Sequence, residues 1–193
     1  MSLTIQARTI LAEWVTSEVL RKHCGAVAAS MAHLAPHYGG DADIWEATGI
    51  LHDMDYERHP SLEVAENAHP FVGVRWLREH GWSEEICRAI LSHADYAGVS
   101  RDSMMEKALF AVDELSSFVL AVALVRPSKN IADVDVAAVK KKMKDKGFAR
   151  AVNRDDIVQG AAGLGVEVDA LIADVIAALS ARATELGIAG VAV

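Results

Sequence analysis

Apolar residues recur at three- and four-residue intervals along most of the chain, the period of helices with one buried face. A first such stretch runs from about residue 4 to 15. Thr16 or Ser17 is placed to cap a second, from Glu18 to about Pro36, whose stripe includes Leu20, Val27, Met31 and Leu34. Asp41 or Asp43 opens a third, which ends in Gly49-Ile50-Leu51-His52-Asp53. A polar loop over 55–61 follows, then helical pieces over 62–68 and 70–79, with Pro70 suited to a first turn and Gly81 to a last one. Ser83 caps a helix to about His93, and Ser103-x-x-Glu106 is a capping box for a long helix reaching Val125. Arg126-Pro127-Ser128 stops it. Shorter helices start at Asp135, closed by Gly147, and at Asp155 or Asp156, and a last one runs from about residue 169 to 186.

The pattern contains no convincing strand, and no linker is long enough to separate a pair of domains. The expected fold class is all-α: one domain over 1–193, with a helical core over about 5–128 and a C-terminal helical extension over about 129–193 packed on it. Composition agrees. Ala supplies 33 of the 193 residues and aromatics only 6%, which favours helices. The net charge of −8 speaks against a duplex nucleic acid partner. The apolar run 108–125 is broken by Asp113, Glu114, Ser116 and Ser117, so it reads as a buried helix and not a membrane span. Cys24 and Cys87 form no Cys-x-x-Cys pair and read as small buried hydrophobes. The N-terminus shows no secretory pattern, and a cytoplasmic location is expected. The last helix either caps the bundle or makes a dimer contact, leaving monomer or homodimer open.

Asp113 shares a helix face with Leu109, Phe110 and Leu120, where an ionised carboxylate is expensive unless paired or bound to metal. His23 lies on its stripe between Leu20 and Val27. His52-Asp53 follows an apolar Gly-Ile-Leu, and His93 follows Ala89-Ile90-Leu91. Taken singly, each is more often a hydrogen-bonded core residue or an ion-pair partner than a ligand. Taken together, four helices each aim an imidazole or carboxylate inward, which is how a bundle assembles a metal site. His33, His37, His59 and His80 fall near helix ends or loops and read as surface residues. Trp14, Trp45 and Trp76 read as core.

With these residues the chain resembles the HD-domain metal-dependent phosphohydrolases, closest to small stand-alone bacterial members. The matching pieces are His23 in LRKHCGAVAASM, His52-Asp53 in GILHDMDYE, His69 in NAHPFVGVRWL, His93 in AILSHADY and Asp113 in KALFAVDELSSF. The likeness extends over most of residues 5–160. It implies an all-α fold and a first metal held by His23, His52, Asp53 and Asp113. His69 and His93 match the extra histidines of two-metal members, in which the carboxylate equivalent to Asp53 bridges the ions. The stretch before His69 is longer than the family pattern, and no Gly-Tyr-Pro follows His93, which argues against the cyclic-di-GMP branch.

Hydrolysis of a phosphate ester needs a nucleophile at neutral pH and a counter-charge for phosphoryl oxygens, and a divalent ion supplies both. Imidazole and carboxylate suit Mn, Fe, Co, Ni or Zn, as one or two ions. Asp53 is assigned a catalytic role beside the metal. Asp55 either orients the attacking water or protonates the leaving group, or is a loop-capping residue. Residues 140–154 carry seven Lys and Arg against the single anion Asp145. Lys142, Lys146 and Arg150 there, and Arg126, are candidates to gather a small phosphorylated substrate; a solvated helix face is the plain alternative. The expected activity is hydrolysis of a phosphomonoester of a nucleotide or small metabolite. The alternatives are a phosphodiesterase acting on a cyclic or linear dinucleotide, and a non-catalytic metal-binding signalling module.

Overall fold

A computed structural model describes residues 2–190. Its ten α-helices are α1 (Leu3–Trp14), α2 (Glu18–Leu34), α3 (Ala42–Leu51), α4 (Phe71–Glu79), α5 (Glu84–His93), α6 (Met104–Leu124), α7 (Val136–Met143), α8 (Arg154–Leu164), α9 (Val168–Ala181) and α10 (Ala183–Leu186). Among the described residues there is no β-strand, only a bridging pair between Asn130 and Ala189. The fold is all-α, as the periodicity predicts. No helix among the described residues is long and apolar enough to cross a membrane.

Local chemistry starts most of these helices. The side chains of Ser17, Asp41, Ser83, Asp135 and Asn153 accept from backbone N–H groups of the first turns of α2, α3, α5, α7 and α8, satisfying donors that have no intrahelical partner. Ser103 and Glu106 form the full capping box of α6.

Helices α2 and α6 organise the interior. Val27, Met31 and Leu34 of α2 pack in one apolar cluster with Leu109, Leu115 and Phe118 of α6, Ile157 of α8 and Leu171 and Val175 of α9. Cys24 and Ala28, on the adjoining strip of α2, join Leu11 of α1, Val15 just after it, Ile50 and Leu51 of α3 and Ile86 and Ile90 of α5 in a second cluster. Each large aliphatic side chain buried this way contributes about 1.5–3 kcal/mol. The high alanine content lets backbones approach closely. At Gly49 of α3 a Cβ would lie 2.7 Å from the Cα of Ala28, so the α2–α3 crossing that carries the site tolerates no side chain there.

Three expectations are corrected. Residues 62–68 form turns and no helix: Leu62 and Val64 are exposed, and the His69 N–H is pinned to the carbonyl of His59. Helix α7 ends at Met143, short of Gly147. The last predicted helix is in fact a pair, α9 and α10, broken at Arg182, whose guanidinium reaches Glu46 at 3.0 Å and Glu185 at 3.2 Å. Cys24 and Cys87 are both free and buried, as expected.

Candidate metal centre

Four helices and one turn bring six donor side chains together. His23 comes from the second turn of α2, and His52 and Asp53 from the end of α3. His69 comes from the turn before α4, His93 from the last position of α5, and Asp113 from the middle of α6. They form two groups, His23–His52–Asp113 and Asp53–His69–His93, each with one donor atom per residue within 4.8 Å of the others. Asp53 joins the groups. Its Oδ2 lies 3.3 Å from His23 Nε2, while its Oδ1 lies 3.3 Å from His69 Nε2, 3.6 Å from His93 Nε2 and 3.7 Å from His52 Nε2. Asp113 Oδ1 is 3.2 Å from His23 Nε2 and 3.5 Å from His52 Nε2.

The histidines meet through nitrogens. His23 Nε2 and His52 Nε2 are 2.9 Å apart, and His69 Nε2 and His93 Nε2 are 3.3 Å apart. Two imidazole nitrogens come so close across an N–H···N hydrogen bond, or when both lone pairs serve a common cation. Donors about 2.1 Å from one ion sit about 3.0 Å apart at right angles and about 3.4 Å apart at a tetrahedral angle. The observed separations fall close to that range, so the donor set fits one or two divalent ions.

The far side of each ring is held. His52 Nδ1 donates to the carbonyl of Gly49 at 2.8 Å, His93 Nδ1 to the carbonyl of Ile90, and His69 Nδ1 to Asp55 Oδ1 at 2.7 Å. These acceptors fix the tautomers and leave each Nε2 lone pair facing inward, the usual support for a metal-binding histidine. His23 Nδ1 meets Ser117 Oγ at 2.6 Å. Ser117 lies one turn beyond Asp113 on the same face of α6, as the helical spacing predicts.

Asp55 differs from its expected role. It is fully buried, and its two oxygens are used by His69 and by the N–H of Gly73, each at 2.7 Å. With its oxygens bonded in this way and no exposure to the lobes, Asp55 holds His69 in place. A Cβ at Gly73 would stand 3.0 Å from Asp55 Cγ, which is why a glycine allows this approach.

Charge is concentrated here. Burial disfavours the charges of Asp53 and Asp113, but His52, His23 and, for Asp53, His93 outweigh it and hold both carboxyls well below the ordinary range. Burial likewise opposes a charged His23, yet its bonds to Asp113 and Asp53 raise it to about 10. Two carboxylates in so buried a place require a cation, and protons fill that role when no metal does. Burial and then the charge of Asp113 raise the next residue, Glu114, to about 7.

The centre opens on two lobes. One, of about 380 Å³, is bordered by Leu62, Tyr96, Phe110, Asn153 and Asp156; the other, of about 590 Å³, by Val19, Leu20, Ala151 and Val152. Asp53, Tyr56, Asp113 and Glu114 face both. Tyr96 donates to the backbone carbonyl of His69 at 2.9 Å, and Tyr56 packs edge-on to the His69 ring. The rim residues Tyr56, Tyr96, Glu114, Asn153 and Asp156 carry no motif that sequence reading could have singled out.

A profile of the HD domain matches residues 20–117, half of the chain, and spans all six donors. The chain belongs to the HD-domain family. Members of that family are, in general, metal-dependent phosphohydrolases. The chain is also similar to Ribonuclease Y of Cutibacterium acnes, 34% identical over 73 residues. That stretch is 38% of this chain and 13% of the length of that relative. No solved structure matches.

The HD-domain chain does not bring its basic residues to the centre. Among the described residues, no Lys or Arg lines either lobe. Lys142 lies over the Phe148 ring, 4.7 Å from its centroid, and 3.9 Å from Asp145. Lys146 is exposed in the turn after α7. Arg150 is also exposed, one residue before the lobe residue Ala151. Arg126 stands thirteen residues beyond Asp113 in sequence, past the end of α6, about 20 Å along its axis. In α7, Lys140 pairs with Asp169 of α9 at 2.7 Å, and Lys140, Lys141 and Lys144 line a separate groove.

Proposed function

We propose that this protein hydrolyses a phosphomonoester of a nucleotide or another small phosphorylated metabolite, using one or two divalent transition ions. The carrying observation is Asp53, whose two oxygens face separate groups of imidazoles at 3.3 Å. His23, His52, Asp53 and Asp113 would hold the first ion, and Asp53, His69 and His93 the second. Mn, Fe, Co, Ni and Zn suit this donor set. A bound ion there lowers the pKa of water and offsets the charge of phosphoryl oxygens.

The chain's own residues do the rest. Gly49, Ile90, Asp55 and Ser117 keep four imidazoles aimed at one small space. Glu114, uncharged below about 7 and facing both lobes, is the group suited to deliver a proton to the leaving oxygen. Burial of His52, His69 and His93 limits bulk water. The guanidinium of Arg101 stands over the Phe110 ring, 3.4 Å from its centroid, and pairs with Asp95 at the edge of the smaller lobe, so discrimination falls to it, to shape and to the hydrogen-bonding groups Tyr96, Asn153 and Asp156.

Elemental analysis of protein purified without added metal, with Asp53→Ala beside it, is the first test. One or two equivalents lost in the variant, with phosphate release from monoesters that depends on the same metal, is the expected result. Protein reconstituted with each of the five ions that releases no phosphate from any ester would sink the reading.

A phosphodiester substrate is the second reading. It is favoured by the two lobes flanking the same carboxylates, which offer a place for each arm of a diester, and by the similarity to a protein named as a ribonuclease. Parallel kcat/KM values on p-nitrophenyl phosphate and bis(p-nitrophenyl) phosphate separate the two readings.

A further inference from the structure

Ten residues beyond His23, α2 ends in a second set of donors that the centre above does not use. His33 lies in the last turn of α2, His37 in the 3-10 turn Ala35–Tyr38, and Asp174 on α9. One donor atom from each lies within 4.8 Å of the others. His33 Nε2 is 3.9 Å from Asp174 Oδ1, and the two imidazoles meet edge to face with centroids 5.2 Å apart.

Three features make this more than a chance grouping. The backbone beneath it is fixed, since Leu34, Ala35, Leu171 and Val175 are all buried in the same apolar cluster. The side chains above it are half-buried or exposed and have room to rotate, and their donors, already within 4.8 Å of one another, need close only to the roughly 3.0–3.4 Å spacing of ligands on one ion. The group also sits at the C-terminal end of a 17-residue helix, where the carbonyl dipoles favour positive charge.

We propose that His33, His37 and Asp174 form a separate site for a borderline divalent ion such as Zn²⁺, Ni²⁺ or Cu²⁺. Two imidazoles and one carboxylate select such ions over Mg²⁺ or Ca²⁺ and leave one position to water. The ion ties α9, which lies outside the matched segment 20–117, to the helix that carries His23. It therefore fastens the C-terminal helices to the metal-binding half of the chain. An ion that binds only the folded form raises its stability by mass action.

The test is equilibrium dialysis of the full chain against buffered free Zn²⁺, with bound zinc counted by elemental analysis. His37→Ala and Asp174→Asn should each hold one equivalent fewer than the unaltered protein, while Asp53→Ala keeps that equivalent. Zn²⁺ should raise the Tm of Asp53→Ala more than that of Asp53→Ala/His37→Ala. Equal zinc in His37→Ala, Asp174→Asn and the unaltered protein overturns the site. Loss of zinc in Asp53→Ala alone would do the same while leaving the phosphohydrolase reading intact, so the two proposals fail separately.

Discussion

Asp55 and His69 share a buried hydrogen bond of 2.7 Å, and the second oxygen of Asp55 is closed off by the N–H of Gly73. The carboxylate thus acts through the imidazole: it fixes the tautomer of His69 and raises the basicity of Nε2. Asp55→Ala should lower affinity for the ion on the Asp53–His69–His93 side about 10- to 100-fold. Its effect on the other ion should be much smaller. A Mn²⁺ activation curve would check this, since the variant's curve should separate into two steps.

Glu114 should behave as an acid that works when protonated. Its carboxyl is raised to about 7, so its contribution is present below that pH and is lost above it. Glu114→Gln should reduce kcat about 10²- to 10⁴-fold on esters with poor leaving groups. It should change little on p-nitrophenyl phosphate, whose leaving group needs no proton. Equal losses on both substrates would remove Glu114 from that role.

The metal-free protein should lose stability toward both high and low pH. His23 titrates near 6.5 in the unfolded chain and at about 10 when folded. A group raised in this way stabilises fully below 6.5 and loses its contribution as pH climbs to about 10. Asp53 and Asp113 are depressed from 3.8, so their share is present above that value and fades as pH falls below it. Urea midpoints in EDTA should therefore be highest between those limits. Loading with Mn²⁺ should move the maximum upward, because the ion needs His23 deprotonated.

Gly49→Ala forces a methyl group against the Ala28 backbone, 2.7 Å from its Cα. The α2–α3 crossing must widen, at a cost of about 1–3 kcal/mol. The same shift moves His23 away from His52, so metal affinity should fall together with the urea midpoint. A stable variant with unchanged metal affinity would show that the crossing is not what aligns the two rings.

The basic run is directed elsewhere. Lys142 is engaged with Phe148 and Asp145, and Lys146 lies in an exposed turn. Lys142→Ala/Lys146→Ala should leave KM within about twofold at physiological salt, where exposed charges beyond a Debye length are screened. A clear rise in KM with unchanged kcat would restore these lysines to substrate binding.

What could be read in the sequence was what depends on near neighbours. Caps at Ser17, Ser83, Ser103 and Asp135 act within three or four residues, and apolar stripes need only the helical period. These gave the all-α class and most helix starts. The donors were legible for a related reason: a carboxylate at Asp113 on an apolar face has to meet a partner, whatever that partner is. The tertiary structure decided everything that depends on which surfaces meet. It set Asp53 between two groups of imidazoles, and it turned Asp55 toward His69 and Gly73. It also paired Lys140 of α7 with Asp169, and it set Asp174 beside His33 and His37. Each of these turns on a few ångströms between residues far apart in the chain. Such distances come from the packing of whole helices, through contacts like Gly49 on Ala28, which no local pattern encodes.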